Sequence, residues 1–517
     1  MKRILNITLC VLLASGAFLT GCKQAAIDDA YLNPNKTTSA DVQRLWAAML
    51  FNEAVIPRYW NLYTFHVPAL GNYSQTAGTI TSNGIYEQPT AYAATRWDMY
   101  FTQTMARYRE MDKVYKGLAS AEDKAGLLLF METGRIFLYD QTAQMIDMWG
   151  DIPFTAAGSL NSDGTITLPA YDDAETTYKF LLTDLKRISD YLTTVTPSSF
   201  YSSQLSSYDY VNKGDLTKWR KYCNALMLRL AMRISYKDEA TAKALVTTIL
   251  SNPTNYPLPA TAKESITIQA GDVNSNLVAK TAMREGLAVN PYPAGSMVND
   301  VMNAAQDPRL AVLFTKTSKG AYQGVSKTWT AAQYTDAVTA NGISRWDSTT
   351  FYLNDLFPGI LMTSGETWFN VAEANERWGL GNAKTAYESG IRQSIAFWTA
   401  INNASSWTGA KEAAPAEAVI TAFLANATVA YGTDNLKKIA TQKWIDFTIM
   451  QANQAWAEYR RTRLLNLPFP TDNGSASAPN PPTRLLYPTS EASLNTVNYN
   501  TVKSKDNIKT KIFWDVK

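Results

Sequence analysis

The 517-residue sequence has one histidine and three cysteines. A lone imidazole, His66, excludes zinc sites built from several histidines, HExxH-type proteases and histidine dyads. An excess of one charge sign is also missing: 48 Lys+Arg face 45 Asp+Glu, and without Lys2 and Arg3, which fall in a segment argued below to be removed, the balance is 46 to 45. Nucleic-acid binding draws most of its affinity from phosphate neutralisation, so it is excluded as the main role. The chain has no P-loop, dinucleotide fingerprint or calcium-type acidic loop, so no cofactor and no metal is expected. After the first 21 residues no apolar run approaches the roughly 20 residues of a membrane span. What the chain does have is a 46% hydrophobic composition, ample for a large core, together with 14 Trp and 28 Tyr.

The N-terminus reads Met1-Lys2-Arg3, then apolar residues 4–19, then Thr20-Gly21-Cys22. A basic start and a short apolar stretch form a secretory signal. Leu19-Thr20-Gly21-Cys22 resembles the bacterial lipobox, in which the cysteine is acylated and becomes the mature N-terminus. The expected organisation is a signal peptide over 1–21, a lipidated tether over 22–40 and one domain over 41–517. Cys10 leaves with the signal and Cys22 carries lipid. Cys223 is then the only thiol, so an intrachain disulfide is impossible. Trp219, Leu226, Leu230 and Ile234 surround Cys223 at helical spacing and make it a core residue.

Helical periodicity predicts helices over 122–149, 171–192, 216–236, 363–378, 383–398 and 435–461. In the last, Ile445, Ile449, Ala452 and Trp456 form one apolar stripe. Trp378-Gly379, Ala383, Tyr387 and Ile391 follow the small/large alternation of tetratricopeptide hairpins, without a clean period of about 34 residues. Long polar segments over 67–95, 252–299 and 316–354, and a Pro/Asn/Ser-rich stretch from 468, are expected to be loops. Ser265-Ile266-Thr267-Ile268 alternates like a minor strand. The predicted fold class is mainly α: helix hairpins forming a scaffold, with long irregular loops and minor β-hairpins.

Several motifs occur in one order. Trp149-Gly150-Asp151-Ile152-Pro153-Phe154 is followed by Pro169-Ala170-Tyr171-Asp172, then by Trp219 with Asn224-Ala225-Leu226-Met227-Leu228-Arg229-Leu230. Asp307-Pro308-Arg309-Leu310 comes next, then Gly365-Glu366 with Ala372-Glu373-Ala374, then Gln442-Lys443-Trp444-Ile445. Trp456-Ala457-Glu458-Tyr459-Arg460-Arg461-Thr462 and Arg484-Leu485-Leu486-Tyr487-Pro488, with Glu491 and Asn495, close the series. Together they resemble the SusD/RagB family of lipid-anchored outer-membrane nutrient-binding proteins of Bacteroidetes, although Gly365 stands where that family usually has alanine. On residue chemistry alone, Arg460 and Arg461 at a helix end suit structural clamping of carbonyls or of a carboxylate such as Glu458.

The resemblance implies a cell-surface receptor without enzymatic activity. It would capture oligosaccharides, or in some branches peptides, and pass them to a SusC-like TonB-dependent transporter while the lipid alone holds it to the membrane. Sugars stack on Trp and Tyr rings while their hydroxyls reach amides and carboxylates. The aromatic residues of the polar loops are therefore the ligand-binding candidates: Tyr73, Tyr86 and Tyr92 among Asn72, Gln75, Asn83 and Gln88, and Tyr322, Trp329, Tyr334 and Trp346 with Asn341 and Asp347. A surface glycoside hydrolase, the enzyme alternative, would need two carboxylates roughly 5 to 10 Å apart. Asp147 with Asp151, or Glu366 with Glu373, could be named for that role.

Overall fold

Helix-capping chemistry sets where the scaffold helices begin. A computed structural model describes residues 40–78, 84–269, 282–289 and 291–517. Cys10, the lipobox with Cys22, and Asn83 lie outside these. The main helices are α1 (Val42–Leu50), α2 (Ala106–Lys116), α3 (Ala121–Trp149), α4 (Ala174–Thr194), α5 (Leu216–Ile234), α6 (Glu239–Ser251), α7 (Ser364–Trp378), α8 (Ala383–Ala404), α9 (Asn435–Phe447) and α10 (Ala452–Thr462). Ser120, Asp173, Asp215, Asp238, Thr363 and Asn382 each accept a backbone N–H from the first turn of the helix they precede. Gly150 (φ 80°) and Gly379 (φ 65°) end α3 and α7 in conformations that suit glycine.

The helices pair as α1 with α2 and α3, α4 with α5, α5 with α6, and α7 with α8 and α9. The α7–α8 hairpin is tight because Gly390 faces Phe369, where a Cβ would lie 2.6 Å from the ring. Gly365 likewise makes room for the Asp446 carboxylate, 2.9 Å from where its Cβ would stand. Strand β1 (Ile266–Ile268) pairs antiparallel with β2 (Gly359–Met362), so the alternating run does form a strand. Of the 14 tryptophans, eight are fully buried, which makes that excess largely a packing feature. Cys223 is fully buried, its thiol donating to the Leu185 carbonyl at 3.2 Å.

Most predicted helices are found, but 435–461 is divided. Thr448 has φ 49° and ψ −158°, a strained conformation for a β-branched residue, and it separates α9 from α10. The expected loops also hold short elements. One is helix Ala331–Thr339, started by a Thr330/Gln333 capping box; others are Thr489–Leu494 and Thr496–Val502 near the C-terminus.

The motif residues build a buried ionic core between the helices. Arg229 of α5 meets Glu366 through two 2.6 Å bonds and Asp140 at 3.2 Å. Arg233 lies 3.1 Å from Glu458 and 3.4 Å from Asp147. Lys443 reaches Glu458 at 2.7 Å and Asn370 at 2.6 Å. Arg460 clamps carbonyls, donating to Thr483 at 2.7 Å and Asp147 at 2.8 Å, with its guanidinium 3.6 Å from the Trp456 ring centroid. The turn after α3 docks onto the C-terminal motif: Leu485 N–H donates to Met148 O at 2.7 Å and Tyr487 Oη to Asp151 O at 2.6 Å. Arg309 folds back on Asp307 at 2.6 Å with both side chains fully buried. The carboxylates a hydrolase would need are thus engaged internally. Asp147 also accepts from Tyr178 and Trp514, and Asp151 caps Ala174 N–H and pairs with Lys505.

Candidate ligand-binding site

Aromatic side chains serve a ligand only where the folded chain leaves a ring face open. Three of the expected candidates are closed, which corrects the sequence reading. Tyr73 is fully buried, 5.3 Å from Trp456, and its hydroxyl donates to the Tyr86 and Glu87 carbonyls at 3.2 and 3.3 Å. Tyr86 is buried and donates to Pro470 O at 2.9 Å. Trp346 is buried between Phe314 at 4.9 Å and Phe351 at 5.3 Å. The polar neighbours that suggested exposure are occupied too. Gln75 reaches Pro468 O, Gln88 brackets Leu486, and Asp347 accepts from Thr349 and Thr350 N–H.

The other four candidates keep part of their surface. Tyr92 is 45% exposed. Tyr322 packs its ring partly on the main core under the Lys316 ammonium, 5.8 Å away. Trp329 and Tyr334 are half-buried in a separate cluster with Tyr292, Val325 and Ile343, the Tyr292 and Tyr334 rings meeting edge-on at 6.0 Å.

Two rings were missed. Tyr59, 45% exposed, stacks on Tyr63 with centroids 4.9 Å apart and planes 13° from parallel. Local desolvation, and then the nearby Tyr63, Tyr92 and Glu285, raise the Tyr59 hydroxyl pKa, which puts Tyr92 and Glu285 within electrostatic reach of the pair. The i,i+4 spacing of Tyr59 and Tyr63 was the available signal. Both rings lie outside the polar segments 67–95 and 316–354 that hold the sequence candidates.

Backbone geometry holds these rings in place. Helix Tyr59–Asn61 runs directly into a π-helix, Leu62–Gly71, that contains Pro68. Such segments are rare and concentrate at functional sites. Beyond the π-helix, Ala77 bridges Pro293, and Gly78 N–H donates to Tyr292 O at 2.9 Å. Gly78 is required there, since a Cβ would fall 2.2 Å from Pro293 O. Lys327, two residues before Trp329, donates to Asn72 Oδ1 at 3.0 Å, and burial lowers its ammonium pKa to about 8. The Trp329/Tyr334 cluster is therefore braced against the end of the helix that begins near Tyr59 and Tyr63. Ser296, four residues past Tyr292, lines a polar cleft of about 550 Å³ with Asp300, Thr433, Lys437, Thr441 and Asn466.

The arrangement offers open ring faces, amides, hydroxyls and a few charges. Among the described residues no group of three or more His, Cys, Asp or Glu could hold a metal ion, and no helix is long and apolar enough to cross a membrane.

A family model described as SusD-like, starch-binding and associating with the outer membrane matches residues 35–488. A solved chitin-binding protein is 20% identical, with a TM-score of 0.73 over 92% of this chain and 99% of its own. A chitin-binding SusD homologue from Flavobacterium johnsoniae is 22% identical, with a TM-score of 0.71 over 92% and 99% of the two chains. A SusD homologue from Parabacteroides distasonis gives 21%, 0.71, and 92% and 98%. At these identities the structures establish a common fold. A search of curated proteins returned no match.

Proposed function

Because the chain belongs to the SusD-like family, starch-binding proteins that associate with the outer membrane, we propose that it is a cell-surface oligosaccharide receptor. It captures the glycan without cleaving it and delivers it to a SusC-like TonB-dependent transporter. Cys22 carries the lipid that holds it to the outer membrane, residues 22–40 form the tether, and 41–517 form the binding domain. The observation that carries this reading is the Tyr59–Tyr63 stack, with Tyr59 and, separately, Tyr92 each 45% exposed. A sugar ring packs its C–H face on such an open platform at little entropic cost, since tyrosine has few rotors to freeze. The starch and chitin binding named for the family and for two of the similar structures agrees with a glycan as the ligand class.

The test is calorimetric titration of the chain from Lys23 onward with malto-oligosaccharides, chito-oligosaccharides and a peptide pool, followed by product analysis. Saturable binding of a glycan series with no new reducing ends is expected. Binding confined to peptides would transfer the protein to the peptide-uptake branch, and sugar cleavage would make it an enzyme.

A further inference from the structure

A cleft of about 430 Å³ opens where α1 and α2 meet the segment that leads into α5. Its size falls in the range of roughly 300–1,000 Å³ usual for ligand pockets. Ala48 of α1, with Phe51 and Glu53 just after it, forms one wall. Gln103 and Arg107 form a second; Gln103 belongs to a π-helix, Tyr100–Met105, that runs directly into α2. Such segments concentrate at functional sites. Tyr208 and Tyr210 form the third wall. None of these residues belongs to the ring sites described above.

The walls are tied to one another. The Arg107 guanidinium donates to the Ala48 carbonyl, and Asn52 Nδ2 donates to Thr104 Oγ1 at 2.8 Å, so two bonds join the first wall to the second. Phe51 and Tyr210 join the first to the third, their ring centroids 5.5 Å apart. Asp209 orients the tyrosines. Its backbone is extended (φ −85°, ψ 99°), so Tyr208 and Tyr210 project to one side and Asp209 to the other. There its buried carboxylate accepts from Trp219 Nε1 at 2.7 Å and from Gly214 N–H at 2.8 Å.

These walls present unspent bonding capacity beside ring faces. Phe51, Tyr208 and Tyr210 are each half-buried. Neither tyrosine hydroxyl is bonded among the described residues, and the Gln103 side chain makes no hydrogen bond there either. The Glu53 side chain is 39% exposed beside its 3.4 Å pair with Arg58. A ligand suited to this set offers an apolar face to the rings and both donors and acceptors around its edge. A sugar ring does so, its C–H face on a tyrosine and its hydroxyls towards the phenols, the amide, Glu53 and Arg107. A purely apolar ligand would strip Glu53 and Arg107 of water without replacing it.

Resting on the oligosaccharide-receptor reading above, we propose that this cleft is a second sugar-binding site, separate from the Tyr59–Tyr63 platform. One short segment connects the two, since Glu53 of the cleft pairs with Arg58, the residue before Tyr59. A glycan chain that spans both sites is retained better than by either alone, because its second contact is intramolecular.

The experiment is calorimetric titration of the chain from Lys23 onward, as parent, Tyr59→Ala, Tyr210→Ala and Gln103→Ala, with maltotriose, chitotriose and a tripeptide pool. Thermal unfolding checks that each variant is folded. Two equivalents of one trisaccharide per parent chain are expected. Tyr59→Ala should weaken one of them, and Tyr210→Ala and Gln103→Ala the other, by roughly tenfold. Gln103 has no hydrogen bond to lose within the described residues, so its variant reads the site even if Tyr210→Ala unfolds. Sugar binding unchanged in Gln103→Ala and in folded Tyr210→Ala would overturn the second site and leave the receptor reading standing. No trisaccharide bound by any form would count against the receptor reading and take the second site with it. Peptide binding abolished by these two variants alone would overturn the assignment of the cleft to sugar.

Discussion

Arg461 and Glu373 face each other across the α7–α10 contact through two parallel bonds of 2.7 and 2.5 Å, and both side chains are buried. A buried pair of this kind stabilises little relative to an apolar replacement, but removing one partner leaves the other charge under-compensated, Arg461 keeping only Glu458 and Glu373 only the longer contact to Arg377. Glu373→Gln and Arg461→Met should each cost roughly 3–5 kcal/mol in urea unfolding. The double replacement should cost less than the sum of the two. Full additivity would show that the pair is not coupled.

The same cations make the core sensitive to acid. Burial pushes the Glu458 carboxyl upward, but Arg461, Lys443 and Arg233 overcome this and hold it well below the usual carboxylate range. A depressed folded-state value adds stability above the ordinary carboxylate pKa, and that stability is lost as pH falls through the folded value. Unfolding midpoints should therefore drop steeply at acid pH. Glu458→Gln should be less stable at neutral pH and show a flatter acid limb.

His66 offers a clean spectroscopic readout because the chain has no other histidine. Burial, and then the Arg96 charge, lower its pKa from 6.5 to about 4. The imidazole proton resonances of the folded protein should stay unshifted from pH 8 to 5. The sign follows from this: the unfolded chain binds the proton first, so roughly 3 kcal/mol of stability, present above pH 6.5, is withdrawn as pH falls towards 4. A midpoint near 6.5 in the folded protein would contradict the burial.

Open and closed rings should separate in binding. Tyr59→Ala, Tyr63→Ala and Tyr92→Ala should each weaken oligosaccharide affinity by roughly tenfold, about 1.4 kcal/mol, with folding intact. Tyr86→Phe should leave affinity unchanged and lose about 1 kcal/mol of stability with its bond to Pro470. Calorimetry beside thermal unfolding reads both, and the reverse pattern would remove Tyr59 and Tyr63 from the site.

Cys22→Ala should abolish incorporation of labelled fatty acid in cells and release the protein from the membrane fraction. Continued labelling would show that the anchor is elsewhere.

Side-chain periodicity revealed most of the scaffold, because a helix that buries one face must repeat its apolar residues on that face. It failed at Thr448. The stripe of Ile445, Ile449, Ala452 and Trp456 stays in phase across the break, while the reversal resides in one backbone angle that side-chain spacing does not encode. Arg460 and Arg461 were recognisable as clamps from their place at a helix end. The site was less legible, since polar neighbours in sequence do not by themselves expose a ring. Tyr73 and Tyr86 instead bury their rings and satisfy their hydroxyls on backbone carbonyls brought in from 13 and 384 positions away. Tyr59 and Tyr63 fall outside the polar segments that hold the candidates, and only the fold shows that their i,i+4 spacing stacks them at the surface.

The fully buried Cys223 has a practical corollary. A soluble chain starting at Lys23 contains one sulfhydryl, shielded by packing and pushed far towards its protonated form by burial. Alkylating reagents should ignore the native state and modify each molecule once when the α4–α5 contact opens. The rate of that modification is then a clock for how often this part of the scaffold comes apart, with and without sugar bound.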